Sequence, residues 1–215
     1  LINELKDECE TSYTFRKYLA GKAFKVTNDY DHAISDWFNN ENINAIDLPQ
    51  TFSIDFKKFL EMRYGENPHQ KAAFYKTNDP RIGIATSNQL QGKELSYNNI
   101  NDGNAAYELI CEFNQPAIAI IKHANPCGVA ENANINLAWE KALQTDPISA
   151  FGGIVALNRE LTLDLAKQMK SLFLEVIIAP SFTKEALQIF RDKPNVRILA
   201  SGSMPIPQEN GLDIK

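Results

Sequence analysis

The sequence AIAIIKHANPCG, residues 117–128, joins an unbroken apolar run to a polar turn. The run, residues 117–121, has the length and composition of a strand that is buried on both faces. Lys122 and His123 follow it at once, and an Asn-Pro pair and a glycine complete a loop. In an open α/β sheet, ligands bind just outside the carboxyl ends of parallel strands. The stretch therefore predicts a parallel strand that ends in a cationic, titratable loop at a binding site.

Strands and helices alternate along the chain around this stretch. The predicted helices cover residues 98–113 and 135–144 and begin at the caps Thr162 and Thr183, whereas the predicted strands cover residues 117–121, 154–157, 176–179 and 196–199. Residues 80–92 are rich in loop-forming residues. This alternation predicts an α/β fold with a mostly parallel sheet and helices on both faces.

The first fifty residues differ from the rest in pattern. Apolar spacing over residues 13–38 predicts a pair of helices, the first capped by Ser12 and the second by Asn28-Asp29. A polar linker covers residues 39–50, and aromatic and aliphatic residues then alternate with polar ones over 52–56, as in a half-buried strand. We therefore place a domain boundary near residue 50.

Composition limits the classes of protein that this chain can belong to. Its 215 residues are 44% hydrophobic and 23% charged, as in soluble globular proteins, and no apolar run approaches the roughly 18 residues of a membrane span. The net charge of −5 argues against nucleic-acid binding. Three widely spaced cysteines form no disulfide framework, which indicates a reducing, cytoplasmic compartment. The start at Leu1 has no signal-peptide pattern, and we expect the chain to be the middle of a longer one.

Several chemistries fit the sequence poorly. Zinc deaminases need an H-x-E motif and a P-C-x-x-C motif. The first does not occur, and Pro126-Cys127 begins the second, but Ala130 replaces its second cysteine. The glycine patterns of dinucleotide-binding and P-loop folds do not occur. A nucleophilic Cys127 activated by His123 is conceivable from the spacing. The favoured alternative is proton transfer, with His123 as base and Lys122 stabilising negative charge.

A second polar stretch, RYGENPHQ, covers residues 63–70 and predicts an ordered loop. Arg63 can offer a guanidinium fork to a phosphate, and the Tyr64 ring can stack on a base. The alternative is a connecting loop whose arginine is solvated.

Three motifs together, RYGENPHQ at 63–70, KHANPCG at 122–128 and SAFGG at 149–153, closely resemble the family of bifunctional purine-biosynthesis enzymes. These enzymes join AICAR transformylase to IMP cyclohydrolase, and the resemblance covers essentially the whole chain. It implies that residues 1–50 are the last helices of a cyclohydrolase domain with a linker. Residues 51–215 would be the first part of a transformylase domain with a cytidine-deaminase-like, three-layer fold that lacks the zinc.

The resemblance implies formyl transfer from 10-formyltetrahydrofolate, as cosubstrate, to the 5-amino group of AICAR, followed by ring closure to IMP. In this family's pattern Lys122 and His123 are catalytic, with no metal and no tightly bound cofactor. The positions that it places at the AICAR pocket are Arg63, Tyr64, Asn104, Phe151, Gly152 and Glu175. A solvated charge at a strand start is an equal alternative for Glu175.

The family is homodimeric, with the transformylase site at the dimer interface, and its chains are more than twice as long. We therefore expect a polypeptide of these 215 residues alone to catalyse neither step. A different class of function stays open, namely a non-catalytic nucleotide-binding or assembly module.

Overall fold

A computed structural model describes residues 2, 4–5, 10–41, 54–77 and 82–204 of the chain. The chain divides into two compact units, residues 1–53 and 54–215, beside the boundary expected near residue 50. Of the strand predicted at 52–56, the first two residues lie outside the described part, and the other three precede a strand without belonging to it. Among the described residues, no helix is both long and apolar enough to cross a membrane.

One helix, α1 (Tyr13–Glu41), makes up most of the described part of the first unit. The Ser12 hydroxyl accepts a hydrogen bond from the Phe15 amide at 3.2 Å, as expected of its cap. The predicted pair of helices is wrong, because α1 continues through Asn28 and Asp29. No proline or glycine interrupts residues 22–38, and the Asp29 carboxylate forms an ion pair one turn back with Lys25 at 3.1 Å.

The second unit contains a two-stranded sheet and a six-stranded sheet with helices. The small antiparallel sheet pairs β1 (Lys57–Met62) with β2 (Ala72–Lys76). The large sheet and its helices comprise β3 (Asn88–Gln91), α2 (Tyr97–Cys111), β4 (Ala117–Lys122), β5 (Asn125–Glu131), α3 (Ile135–Thr145), β6 (Gly153–Leu157), α4 (Leu163–Lys170), β7 (Leu174–Ala179), α5 (Lys184–Ile189) and β8 (Arg197–Ala200).

The large sheet is mixed, in the order β3-β8-β7-β6-β4-β5. The pairs β6-β7 and β7-β8 are parallel, whereas β3-β8, β4-β6 and β4-β5 are antiparallel. The predicted mostly parallel sheet is therefore wrong. The loop expected after β4 is a strand, β5, that begins Asn-Pro-Cys-Gly, a composition that disfavours strands. This strand reverses the chain before α3 and leaves β4 antiparallel to β6.

Helices cover both faces of the large sheet, which gives three layers. Side chains alternate between the faces: Ile120 and Ile177 point to one, whereas Ile121 and Ile178 point to the other. The first face packs against α3, α4 and α5, with Trp139 and Met169 in its core. The second face packs against α2, whose Tyr107 is fully buried. Both faces being covered explains why the central strands are apolar throughout.

Gly128 is the point at which β5 comes closest to α3. A Cβ built on this glycine would overlap the carbonyl oxygen of Ala142 and lie 2.9 Å from its carbonyl carbon. The obstacle is helix backbone, which cannot swing aside as a side chain would. Only glycine therefore permits this packing of strand against helix.

We predict that Gly128→Ala lowers the free energy of unfolding by about 3 kcal/mol or more, because the added methyl group forces α3 off the sheet. Urea denaturation followed by circular dichroism measures the change. The matched control is Gly103→Ala in α2, where an added Cβ meets Ile178 and Ile84 side chains at an ordinary 3.6 Å. The control is expected to gain up to about 1 kcal/mol from helix propensity. Equal stability of Gly128→Ala and the native protein would contradict the prediction.

Candidate active site

The antiparallel orientation of β4 brings polar residues of β4, β5, β7 and β8 to one edge of the large sheet. Ile121 pairs with Ile154, so the carboxyl end of β4 lies beside the amino end of β6. The parallel strands β7 and β8 begin at this same edge, at Leu174 and Arg197. We name it the Lys122 edge. It is the carboxyl edge of β4, as expected, but the amino edge of the parallel strands.

A two-residue turn, His123-Ala124, joins β4 to β5 at the Lys122 edge, and Lys122 pairs with Asn125 across it. Both turn residues have left-handed backbones, with φ of 54° and 57°. This is the geometry of the tight hairpin turns that normally contain Asn-Gly. A left-handed backbone at a residue other than glycine costs roughly 1–3 kcal/mol. The turn is therefore strained at the predicted catalytic residue.

Asp102, on α2, holds this turn from the side. Its Oδ2 accepts a hydrogen bond from the His123 amide at 3.1 Å, and its Oδ1 accepts one from the Ala124 amide at 2.9 Å. The Asn125 side chain adds a third bond, donating to the His123 carbonyl at 2.7 Å. Nothing in the local sequence pairs residue 102 with residues 123 and 124, so Asp102 was absent from the predicted site.

Lys122 and His123 differ in their surroundings although they are adjacent. The Lys122 side chain is partly buried, and its Nζ donates to the Phe151 carbonyl at 2.8 Å. His123 is exposed at the tip of the turn. The ammonium is thus fixed by a neutral acceptor, and the imidazole is accessible to a ligand.

Phe151 and Gly152 lie in the loop that leads into β6, beside Lys122. Gly152 has a φ of 74°, and its amide donates to the Phe173 carbonyl at 2.8 Å. The Phe151 and Phe173 rings lie 5.2 Å apart at 43°, and both are exposed, at 58% and 45%. An exposed aromatic pair at the loop whose carbonyl holds the ammonium offers a planar apolar surface to a ligand.

A cleft of about 420 Å³ opens at the β8 end of the Lys122 edge, and Arg63 and Tyr64 line it. The Arg63 guanidinium lies 5.3 Å from the centre of the Tyr64 ring. Lys93 and Arg197 also line the cleft, together with Ser96 at the amino end of α2. Cations and a helix amino terminus both favour a bound anion, although Glu61 and Glu94 in the same lining reduce the net charge.

Glu175, at the start of β7, connects the cleft to the centre of the edge. Its Oε2 accepts a hydrogen bond from the side-chain amide of the buried Asn99 at 2.8 Å. The same oxygen lies 4.0 Å from an Arg197 guanidinium nitrogen. Glu175 is therefore partnered within the fold. The interpretation of Glu175 as a purely solvated charge does not describe it.

Asn104 is not brought to these residues. It is exposed on α2, and helix geometry places it roughly 200° around the axis from Asp102. The residues that do reach the edge recur every third position, namely the cap Ser96 and, on α2, Asn99 and Asp102. Ser96 and Asn99 also form a capping box, the one local signal that could have identified Asn99.

The Cys127 thiol lies close to Lys122 and Asp146. Burial raises the pKa of Cys127, the Asp146 carboxylate raises it further, and the Lys122 ammonium opposes both. Hydrogen bonds from Ser149 lower the pKa of Asp146, whose carboxylate accepts the Ser149 amide at 2.9 Å. A raised pKa reduces the thiolate fraction, so the environment disfavours Cys127 as a nucleophile. Within the described ranges, no three His, Cys, Asp or Glu residues are grouped as a metal site requires.

The family model for the AICARFT/IMPCHase bienzyme matches residues 1–215, the whole chain. The chain belongs to this family. It is 52% identical over 212 residues to the bifunctional purine biosynthesis protein PurH of Rhizobium leguminosarum, and 54% identical over 204 residues to PurH of Brucella anthropi. These alignments cover 97% and 94% of the chain but 39% and 38% of the relatives. The chain thus spans about two-fifths of the length of the bienzyme relatives that it matches.

Among solved structures, a putative formate dehydrogenase accessory protein from Desulfotalea psychrophila aligns with 43% of this chain over 42% of its own chain. The identity is 12% and the TM-score 0.36, too low to inform the fold of the bienzyme family.

We predict that iodoacetamide alkylates Cys127 several times more slowly in the folded protein than in the same protein unfolded in urea at pH 8. The raised pKa keeps the thiol protonated, and packing shields it. Peptide mass spectrometry follows the modification of this cysteine separately from the others. Equal rates in the two states would show that Cys127 has no protected environment.

Proposed function

We propose that this chain is part of an enzyme that transfers a formyl group from 10-formyltetrahydrofolate to the 5-amino group of AICAR. The observation that carries the proposal is the exposed His123 at the tip of the turn that directly follows Lys122, whose ammonium is fixed, at the sheet edge that also borders the cationic cleft. Membership of the bienzyme family supports the identity of both substrates.

His123 acts as the proton carrier in this proposal. The amine nitrogen of AICAR forms a bond to the formyl carbon, and the bond between that carbon and N10 of the folate breaks. The amine loses a proton and N10 gains one, so a group that accepts a proton and returns it balances the step. His123 is the accessible titratable side chain of the turn, which suits it to that role.

Lys122 stabilises the negative charge that develops on the formyl oxygen during the attack. Its ammonium is already oriented by the Phe151 carbonyl, so little reorganisation is needed when the charge forms.

The cleft and the loops beside it bind the nucleotide. Arg63 and Arg197, with the amino end of α2, offer donors to the phosphate, and the Tyr64 ring offers a stacking surface. Arg197 on β8 and Lys122 on β4 are separated by three strand spacings, a distance of about 14 Å. This distance is similar to the length of a mononucleotide. Phe151, Gly152 and Glu175 lie between these ends and face the base. Asn104 remains a proposed contact on the resemblance alone.

The wider assignment follows the family. Residues 1–50 form the end of an IMP cyclohydrolase domain with its linker, and residues 51–215 form the first part of a transformylase domain with a cytidine-deaminase-like fold. The three layers of the second unit support that fold. The whole protein is a cytoplasmic homodimer that also closes the ring to IMP, and these 215 residues by themselves catalyse neither step.

We predict that His123→Ala in the full-length protein lowers the turnover of formyl transfer by at least about 100-fold, because the proton carrier is lost. AICAR binding, measured by calorimetry, stays essentially unchanged, and so does IMP cyclohydrolase activity. The matched control is His32→Ala in α1. The His32 ring lies 3.4 Å from the Asp36 carboxylate and has no role in the proposed site.

Full formyl-transfer turnover by the His123→Ala protein would overturn the catalytic assignment. It would favour the alternative, a module that binds nucleotide without chemistry.

A further inference from the structure

We propose that Asp102 is a positioning residue for formyl transfer, which holds the strained turn that presents His123. This inference rests on the proposed function, since it concerns the same imidazole. Asp102 acts on the backbone of the turn and is not assigned any contact with a substrate. Its importance comes from the two hydrogen bonds that its carboxylate accepts from consecutive amides, at 3.1 and 2.9 Å.

The turn needs these bonds for a reason that its geometry makes plain. In a two-residue hairpin, the amides of the two turn residues lie outside the ladder that joins the strands. Both turn residues here also have left-handed backbones, which disfavour residues other than glycine. A carboxylate that accepts both amides at once favours the left-handed pair over more relaxed conformations of the turn.

Asp102 can do this because α2 fixes its position. The preceding turn of α2 is capped by Ser96 and tied to β7 through the hydrogen bond from Asn99 to Glu175. The following residue, Gly103, is buried, and a Cβ at this position would lie 3.6 Å from the Ile178 side chain of β7. The carboxylate is therefore held relative to the sheet, and the turn is held relative to the carboxylate. The direction of the imidazole at the tip depends on both.

The first test is Asp102→Ala in the full-length protein. We expect formyl-transfer kcat to fall by about 10- to 100-fold, as misplacement of a reacting group typically causes, with little change in KM for AICAR. The conservative variant Asp102→Asn keeps one acceptor oxygen and is expected to lie between the native protein and Asp102→Ala. The matched control is Asp164→Ala, an exposed carboxylate in the first turn of α4 that lies 3.9 Å from Lys167.

Two double variants separate positioning from general stability. Adding Ala124→Gly to Asp102→Ala is expected to restore part of kcat, because glycine adopts a left-handed backbone without steric cost. In a His123→Ala background, Asp102→Ala is expected to cause no further loss, because the group that it positions is already gone. A merely structural role would give the same fold-loss in both backgrounds.

Native kcat in Asp102→Ala, or an equal loss with and without His123, would overturn the inference while leaving the proposed function intact. Native kcat in His123→Ala would overturn the proposed function and this inference together. Far-UV circular dichroism and IMP cyclohydrolase activity report whether each variant folds. If Asp102→Ala does not fold, native kcat in Asp102→Asn would overturn the inference, and an intermediate kcat there would support it.

Discussion

The antiparallel pairing of β4 with β6 is the constraint on which the rest of the structure depends. It brings Lys122 and His123 to the edge at which β6, β7 and β8 begin. Had β4 run parallel to β6, its carboxyl end would lie beside Leu157, at the opposite edge from Glu175 and Arg197. The polar residues of β4, β5, β7 and β8 share one edge because β5 reverses the chain before α3.

The sequence predicted the buried strands and most helices well, and for clear reasons. Apolar runs such as 117–121 and 176–179 have few structural alternatives, and caps such as Thr183 are local signals. Strand β5 escaped prediction because Asn-Pro-Cys-Gly is typical of loops, and only pairing with β4 makes it a strand. Orientation within the sheet depended on that missing strand and was therefore wrong as well.

The candidate site likewise contains residues that the sequence predicted and residues that only the structure revealed. Lys122, His123, Phe151, Gly152 and Glu175 follow or precede predicted strands, and the structure places them along one edge. Asn99 forms a hydrogen bond with Glu175, which lies 76 positions further along the chain. Asp102 accepts hydrogen bonds from His123 and Ala124, which lie 21 and 22 positions further along. No local pattern encodes contacts over such separations. Motifs thus predicted the residues that carry the proposed chemical groups, whereas their hydrogen-bond partners on α2 required coordinates. This is the usual division where a site contains backbone strain.

The spacing of Ser96, Asn99 and Asp102 on α2 has a consequence for how the gene can change. One helix face meets the anion-favouring cleft, the Glu175 carboxylate and the hairpin tip through residues three positions apart. Inserting or deleting one codon between the second and third of them would rotate the contacts out of phase by about 100°. Insertions and deletions between Asn99 and Asp102 should therefore be selected against, even where single-residue replacements in that segment are tolerated.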